Sequence, residues 1–96
     1  MPFPRGGFAF TETKITQIAP TGSGVYGILN SEKWIYVGET NNLQRRLLEH
    51  LNETGTCIKK AGPTLFTWES SEAANRVTRQ DNLILELKPA CNQRLG

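Results

Sequence analysis

The words Gly24-Val25-Tyr26 and Tyr36-Val37-Gly38, with nine residues between the tyrosines, flank the polar run Asn30-Ser31-Glu32-Lys33. The residues that join word to turn, Gly27-Ile28-Leu29 on one side and Trp34-Ile35 on the other, are β-prone. Turn chemistry between two such runs makes an antiparallel hairpin the natural fold of this stretch. Both tyrosines then lie on neighbouring strands, where two hydroxyls can reach one cleft. Tyr and Gly on paired strands alone specify no more than a packed hairpin, so any chemistry has to be read from residues further along the chain.

Residues 25–29 and 34–39 read as the two hairpin strands. Asn41 has N-cap chemistry and Gln44 completes a capping-box-like pair, which predicts a helix over residues 42–51. Leu43, Leu47, Leu48 and Leu51 form its apolar stripe. Arg46 and His50 fall one turn apart on the border of that stripe, and Arg45 and Glu49 face solvent. Residues 52–63, with Gly55, Gly62 and Lys59-Lys60, read as a connecting loop carrying a small basic patch. Residues 64–69 are rich in β-branched and aromatic side chains and suit a third strand. Ser70 or Ser71 can cap a second helix, which should end near Leu87 because Pro89 biases Lys88 out of the helical region.

Projection of that second helix places Val77, Leu83, Ile84 and Leu87 on one arc, with Gln80 near its middle. A buried amide left unpaired costs about 1–3 kcal/mol, so Gln80 either satisfies backbone groups or points through the core edge into a cleft. Residues 1–7 hold two Pro and two Gly and read as a loose arm. Residues 8–18 carry both strand-like alternation and helical spacing. The chain thus divides into an arm and lead-in over residues 1–20 and a domain over 21–96. The order β-β-α-β-α predicts an α+β fold, a small three-stranded, mostly antiparallel sheet flanked by helices.

At 96 residues there is room for one modest core. A formal charge of +2 fits a polyanion partner without requiring one. No apolar run is long enough to span a membrane and the N-terminus has no secretory core, so a cytoplasmic protein is expected. Cys57 and Cys91 form no CxxC pair and are expected as buried free thiols. Phe8, Trp34, Phe66 and Trp68 suit the core of a small sheet better than an exposed interaction surface.

The double word resembles that of the GIY-YIG nucleases, and the spacing downstream extends the resemblance to Asn92. In that family an Arg lies eight residues after the last Gly of the second word, with a His or Tyr four further on; Arg46 and His50 stand there. A later helix supplies a metal-binding Glu twelve residues before an Asn, positions held here by Gln80 and Asn92. The ending from Asp81 to Asn92 is also similar to the nuclease module of the bacterial nucleotide-excision-repair incision subunit.

The resemblance implies a role for each of these residues. Tyr26 or Tyr36 would orient or deprotonate water, given a phenolic pKa lowered by nearby cations. Arg46 would stabilise charge on the scissile phosphate, His50 would hold the phosphate or relay a proton, and Asn92 would brace the site. Gly38, Arg45, Lys59 and Lys60 would lie at the nucleic-acid surface. Mg²⁺ or Mn²⁺ would sit at Gln80, with Asp81, rotated by about 100° around the helix, as the substitute carboxylate. The implied function is a metal-dependent DNA endonuclease acting on duplex, branched or damaged DNA. Because Gln80 is neutral, the alternative is a non-catalytic DNA-binding module that keeps the nuclease fold.

Overall fold

The computed structural model describes residues 3–92. They run β1 (Phe8–Ala9), α1 (Glu12–Ile18), β2 (Gly24–Leu29), β3 (Trp34–Thr40), α2 (Leu43–Asn52), α3 (Cys57–Lys60), β4 (Leu65–Ser70) and α4 (Ala73–Leu87). The fold is α+β. Its sheet is antiparallel with strand order β1-β4-β2-β3, one strand more than expected. The extra strand settles the ambiguous lead-in: Phe8 pairs with Phe66, and Thr11 then caps α1 by accepting from the Lys14 amide at 3.2 Å. Both periodicities were real, one after the other. The expected C-terminal limit at residue 96 lies outside the described residues.

The two faces of the sheet bury different clusters. Ile15, Tyr26, Ile28, Leu43, Leu47 and Phe66 pack under α1 and α2. Phe3, Val25, Val37 and Leu83 pack on the opposite face with α4. A β-bulge shapes the first face. Leu29 pairs with Trp34 and Ile28 with Tyr36, so Ile35 is an extra residue on β3, and it joins the cluster that Tyr36 also borders.

Several local expectations change in three dimensions. Asn42, not Asn41, caps α2, accepting from the Arg45 amide at 3.0 Å. Gln44 donates to the Ala19 carbonyl at 3.1 Å instead of closing a capping box, which ties α2 to the end of α1. Neither Ser70 nor Ser71 caps α4, because Ser70 ends β4 and the Ser71 carbonyl accepts from the Ser23 hydroxyl; Glu72 holds the N-cap position. Val77 is about half exposed, off the buried arc that Leu83 marks. The loop over residues 52–63 contains α3. The N-terminal segment is packed from Phe3 onward: Phe3 is buried and stacks on Trp34, and the Arg5 guanidinium lies 3.8 Å over the Trp68 ring.

The cysteines correct another expectation. They form a disulfide, Cα to Cα 5.8 Å, instead of two free thiols. After α4 the chain returns along the outer edge of β3, where the Ala90 and Cys91 amides donate to the carbonyls of Trp34 and Ile35. That edge pairing, which blunts an otherwise open strand, carries Cys91 to Cys57 on α3. Among the described residues no helix is long and apolar enough to cross a membrane.

Candidate active site

The hairpin register places Tyr26 opposite Gly38 and Ile28 opposite Tyr36. The tyrosines are therefore diagonal neighbours on one face, with ring centroids 6.1 Å apart. Gly38 was expected at the nucleic-acid surface, but it is buried beneath Tyr26 and supplies the space for that ring. His50 descends from the last turn of α2 to meet both tyrosines, its ring centroid 5.5 Å from Tyr26 and 5.2 Å from Tyr36. The border position read from the helix projection is thus buried: His50 is 2% exposed and Tyr26 1%. Tyr36 is partly open and is the tyrosine that can face solvent.

A buried polar chain joins these side chains. The Tyr26 hydroxyl lies 2.7 Å from His50 Nε2, and His50 Nδ1 lies 3.0 Å from the Glu53 carboxylate. Burial, reinforced by Tyr36, pushes the Tyr26 phenol well above the ordinary tyrosine range, and the opposing pull of Arg46 does not cancel this. The condition under which the resemblance would have Tyr26 deprotonate water, a lowered phenolic pKa, is not met in the resting site, and Tyr26 keeps its proton. Burial and the Arg46 charge likewise hold His50 below its ordinary range, against the pull of Glu53. A neutral imidazole between a phenol and a carboxylate has one satisfying tautomer: Nδ1–H donates to Glu53, and Nε2 accepts from Tyr26. Glu53 was not legible as part of the site, because it lies just past the end of the helix that carries His50.

These shifts carry a stability prediction. His50 faces Tyr26 from β2, Tyr36 from β3, and Arg46, Glu49 and Glu53 from α2 and its end. Its pKa is lower folded than unfolded, so between those two values the unfolded chain binds more protons and stability rises with pH. Stability should be fully present above about pH 6.5 and should fall as the pH drops below it, with a slope of at most about 1.4 kcal/mol per pH unit. Denaturant melts across this range should show that slope, and His50→Gln should flatten it, since the chain has 1 His.

Arg46 lies on the same wall, its guanidinium 3.0 Å from Glu49 and interacting with Tyr26. Arg45 is held by Asn41 at 2.9 Å. Lys59 donates to the Leu51 carbonyl at 2.7 Å, which satisfies the end of α2, while Lys60 is exposed on α3. Asn92 clamps the β3 edge: its Oδ1 accepts from the Val37 amide at 2.6 Å, and its Nδ2 donates to the Val37 carbonyl at 2.9 Å. The backbone beside Tyr36 is thereby fixed.

Gln80 stands apart. It is half-buried on α4, which packs on the other face of the sheet, and its amide donates to Asp81 at 3.2 Å. No hydrogen bond among the described residues joins it to Tyr26, Tyr36, Arg46 or His50.

An α+β domain with paired tyrosines on a β-hairpin and a buried His behind them is the arrangement this geometry defines. Residues 22–84 match the family model described as the GIY-YIG catalytic domain, and the chain belongs to that family. It is 31% identical over 88 residues, 85% of its length, to the UvrABC system protein C of Rhodopseudomonas palustris. With the corresponding protein of a Hydrogenobaculum species it shares 38% over 71 residues, 72% of its length. The chain spans 12% of the length of each of these relatives. Among solved structures it resembles the GIY-YIG N-terminal endonuclease domain of UvrC from Thermotoga maritima bound to magnesium. That match has a TM-score of 0.70 and 26% identity, and covers 83% of this chain and 97% of the other. A point mutant of the same domain, bound to its catalytic divalent cation, matches with a TM-score of 0.71 and 26% identity over 84% of this chain and 97% of that one.

The residues present do not fit such a cation. Mg²⁺ takes hard oxygen ligands and depends on the charge of the one or two carboxylates that hold it. Gln80, which stands twelve residues before Asn92 where the resemblance places a metal-binding Glu, is neutral, and its amide donates to Asp81. Asp81 itself borders a groove whose other described lining residues, Ile84, Leu85 and Asn92, carry no carboxylate. Among the described residues no three His, Cys, Asp or Glu side chains come together as a metal site.

Proposed function

We propose that this chain is a DNA-directed GIY-YIG nuclease domain that binds the phosphodiester backbone and whose hydrolysis is silenced at Gln80. One observation supports the reading: the paired tyrosines gather around the buried His50, which bonds to Tyr26 and Glu53 beside Arg46, while Gln80, where the family resemblance places a metal-binding Glu, is a neutral amide. Arg46 is the phosphate-facing charge, because it is permanently ionised, planar and partly exposed at the mouth of the cleft. Tyr36 is the hydroxyl that can face an attacking water; Tyr26 and His50 lie too deep to touch one and act as its floor. Arg45, Lys59 and Lys60 extend the cationic surface along α2 and α3. The ligand is DNA held by its backbone, in duplex, branched or damaged form.

Fluorescence anisotropy with a labelled duplex tests this. Binding should be present at low salt and weaken steeply as salt rises. Arg46→Ala should weaken it about 3- to 10-fold across unrelated sequences and make the salt slope shallower by about one. Absence of binding at low salt would remove the reading.

A further inference from the structure

Three features among the described residues lie outside the roles already assigned. The groove bordered by Ile84, Leu85, Lys88 and Pro89 is apolar, but nothing in the fold indicates what covers it. The Cys57–Cys91 bridge anchors the β3 edge, which is a structural role. The polar chain that ends at Glu53 reaches furthest into the site.

We infer that Glu53 is a positioning residue of the phosphate site, acting through His50 and Tyr26 to aim Arg46; this rests on the DNA-directed reading above. The placement of two protons produces the effect. Glu53 lies just past α2, where its backbone amide still bonds to the Glu49 carbonyl and its carboxylate turns back to His50 Nδ1 at 3.0 Å. A carboxylate can only accept, so it selects the tautomer with hydrogen on Nδ1. Nε2 is then a pure acceptor, and at 2.7 Å it takes the Tyr26 hydroxyl proton. With its proton committed to His50, the Tyr26 oxygen turns its lone pairs toward the cleft, where the Arg46 guanidinium interacts with it. The guanidinium, bonded to Glu49 at 3.0 Å, then meets an oxygen that attracts it instead of a hydroxyl hydrogen that repels it.

Without Glu53 the order reverses. Free imidazole favours hydrogen on Nε2, and that N–H would donate to the Tyr26 oxygen and turn the phenolic hydrogen outward at Arg46. Two donors would then face each other at the mouth of the site. The effect is selective: Glu53 is 35% exposed and outside the core, so its loss disturbs orientation more than folding.

The chain has 1 His, so long-range ¹H–¹⁵N correlation spectra report this network without ambiguity. The unchanged protein should show Nδ1 protonated and Nε2 as an unprotonated acceptor above the His50 titration. Glu53→Ala should move the hydrogen to Nε2 and weaken duplex binding about 2- to 5-fold, less than the loss of the Arg46 phosphate contact itself. Glu53→Gln, whose amide oxygen can still accept from Nδ1, should recover most of both. An Nε2–H tautomer in the unchanged protein overturns the inference. A tautomer change with unaltered affinity overturns the positioning role. If the unchanged chain binds no DNA, the functional reading fails, and the spectra still decide whether Glu53 sets the tautomer.

Discussion

Gln80→Glu is expected to convert this chain into a metal-dependent nuclease, raising cleavage of duplex or branched DNA by at least about 100-fold. Changes behind a metal's ligands alone commonly cost about 10- to 100-fold in metal affinity or activity, and restoring a charged ligand should recover more. The substitution is nearly isosteric, and Gln80 is half-buried with one hydrogen bond, to Asp81. That bond becomes a repulsion between carboxylates, which a bound cation relieves. The variant should therefore melt slightly below the parent without metal and above it with Mg²⁺, since a ligand bound only by the folded state stabilises it. Cleavage should appear with Mg²⁺ or Mn²⁺ and vanish with chelator. Metal-dependent cutting by the unchanged chain would show that another carboxylate serves, making Asp81→Asn the next variant. No cutting and no metal-dependent stabilisation in Gln80→Glu would leave only the DNA-binding half of the proposal.

How much the chain discloses before folding depends on how far each signal reaches along it. Tyr26, Tyr36, Arg46 and His50 were legible because hairpin register and helical turn convert short spacings into proximity, and the structure brings these four together. The depth of His50 was not legible. A helical projection places a side chain at the border of a stripe, but how deeply it sinks depends on what packs over it, here the rings of Tyr26 and Tyr36 from the sheet. Glu53 escaped because it lies beyond the end of α2, where periodicity no longer assigns a face. The Cys57–Cys91 bridge depends on the chain returning along the β3 edge, a contact across 34 residues that no local pattern encodes. Phe3 read as part of a loose arm because Pro and Gly surround it, yet one large apolar ring met a stacking partner in Trp34. The resemblance to a known family singled out Gln80, which lies on α4, without supplying its surroundings.

Gly38→Ala is expected to be the most damaging single-methyl change inside the tyrosine cleft, costing about 1–3 kcal/mol and lowering the melting temperature by roughly 5–20 °C. A Cβ on Gly38 would overlap the Tyr26 hydroxyl oxygen and lie 2.6 Å from Tyr26 Cζ and 2.9 Å from Tyr36 Cε2. A flexible side chain could step aside. Tyr26 cannot, because it is 1% exposed, lies in the core with Leu47 and Phe66, and is tied to His50 at 2.7 Å. The strain should thus fall on the hydroxyl and break its bond to His50. The Tyr26→Phe background should relieve part of the cost, since the oxygen is gone while the ring carbon stays in contact, and a double-mutant cycle should return a favourable coupling. Gly22→Ala is the internal control. A Cβ there meets nothing within 4 Å, so its effect should stay within about 0.5 kcal/mol. Gly24 provides the opposite comparison, because a Cβ there meets the Glu69 carbonyl of the neighbouring strand, backbone that cannot rotate away. Gly24→Ala should therefore be at least as destabilising as Gly38→Ala and gain nothing from Tyr26→Phe. That contrast separates a glycine required by strand packing from one required by the tyrosine of the site. Equal behaviour of the two variants in the Tyr26→Phe background would show that Gly38 serves the sheet alone.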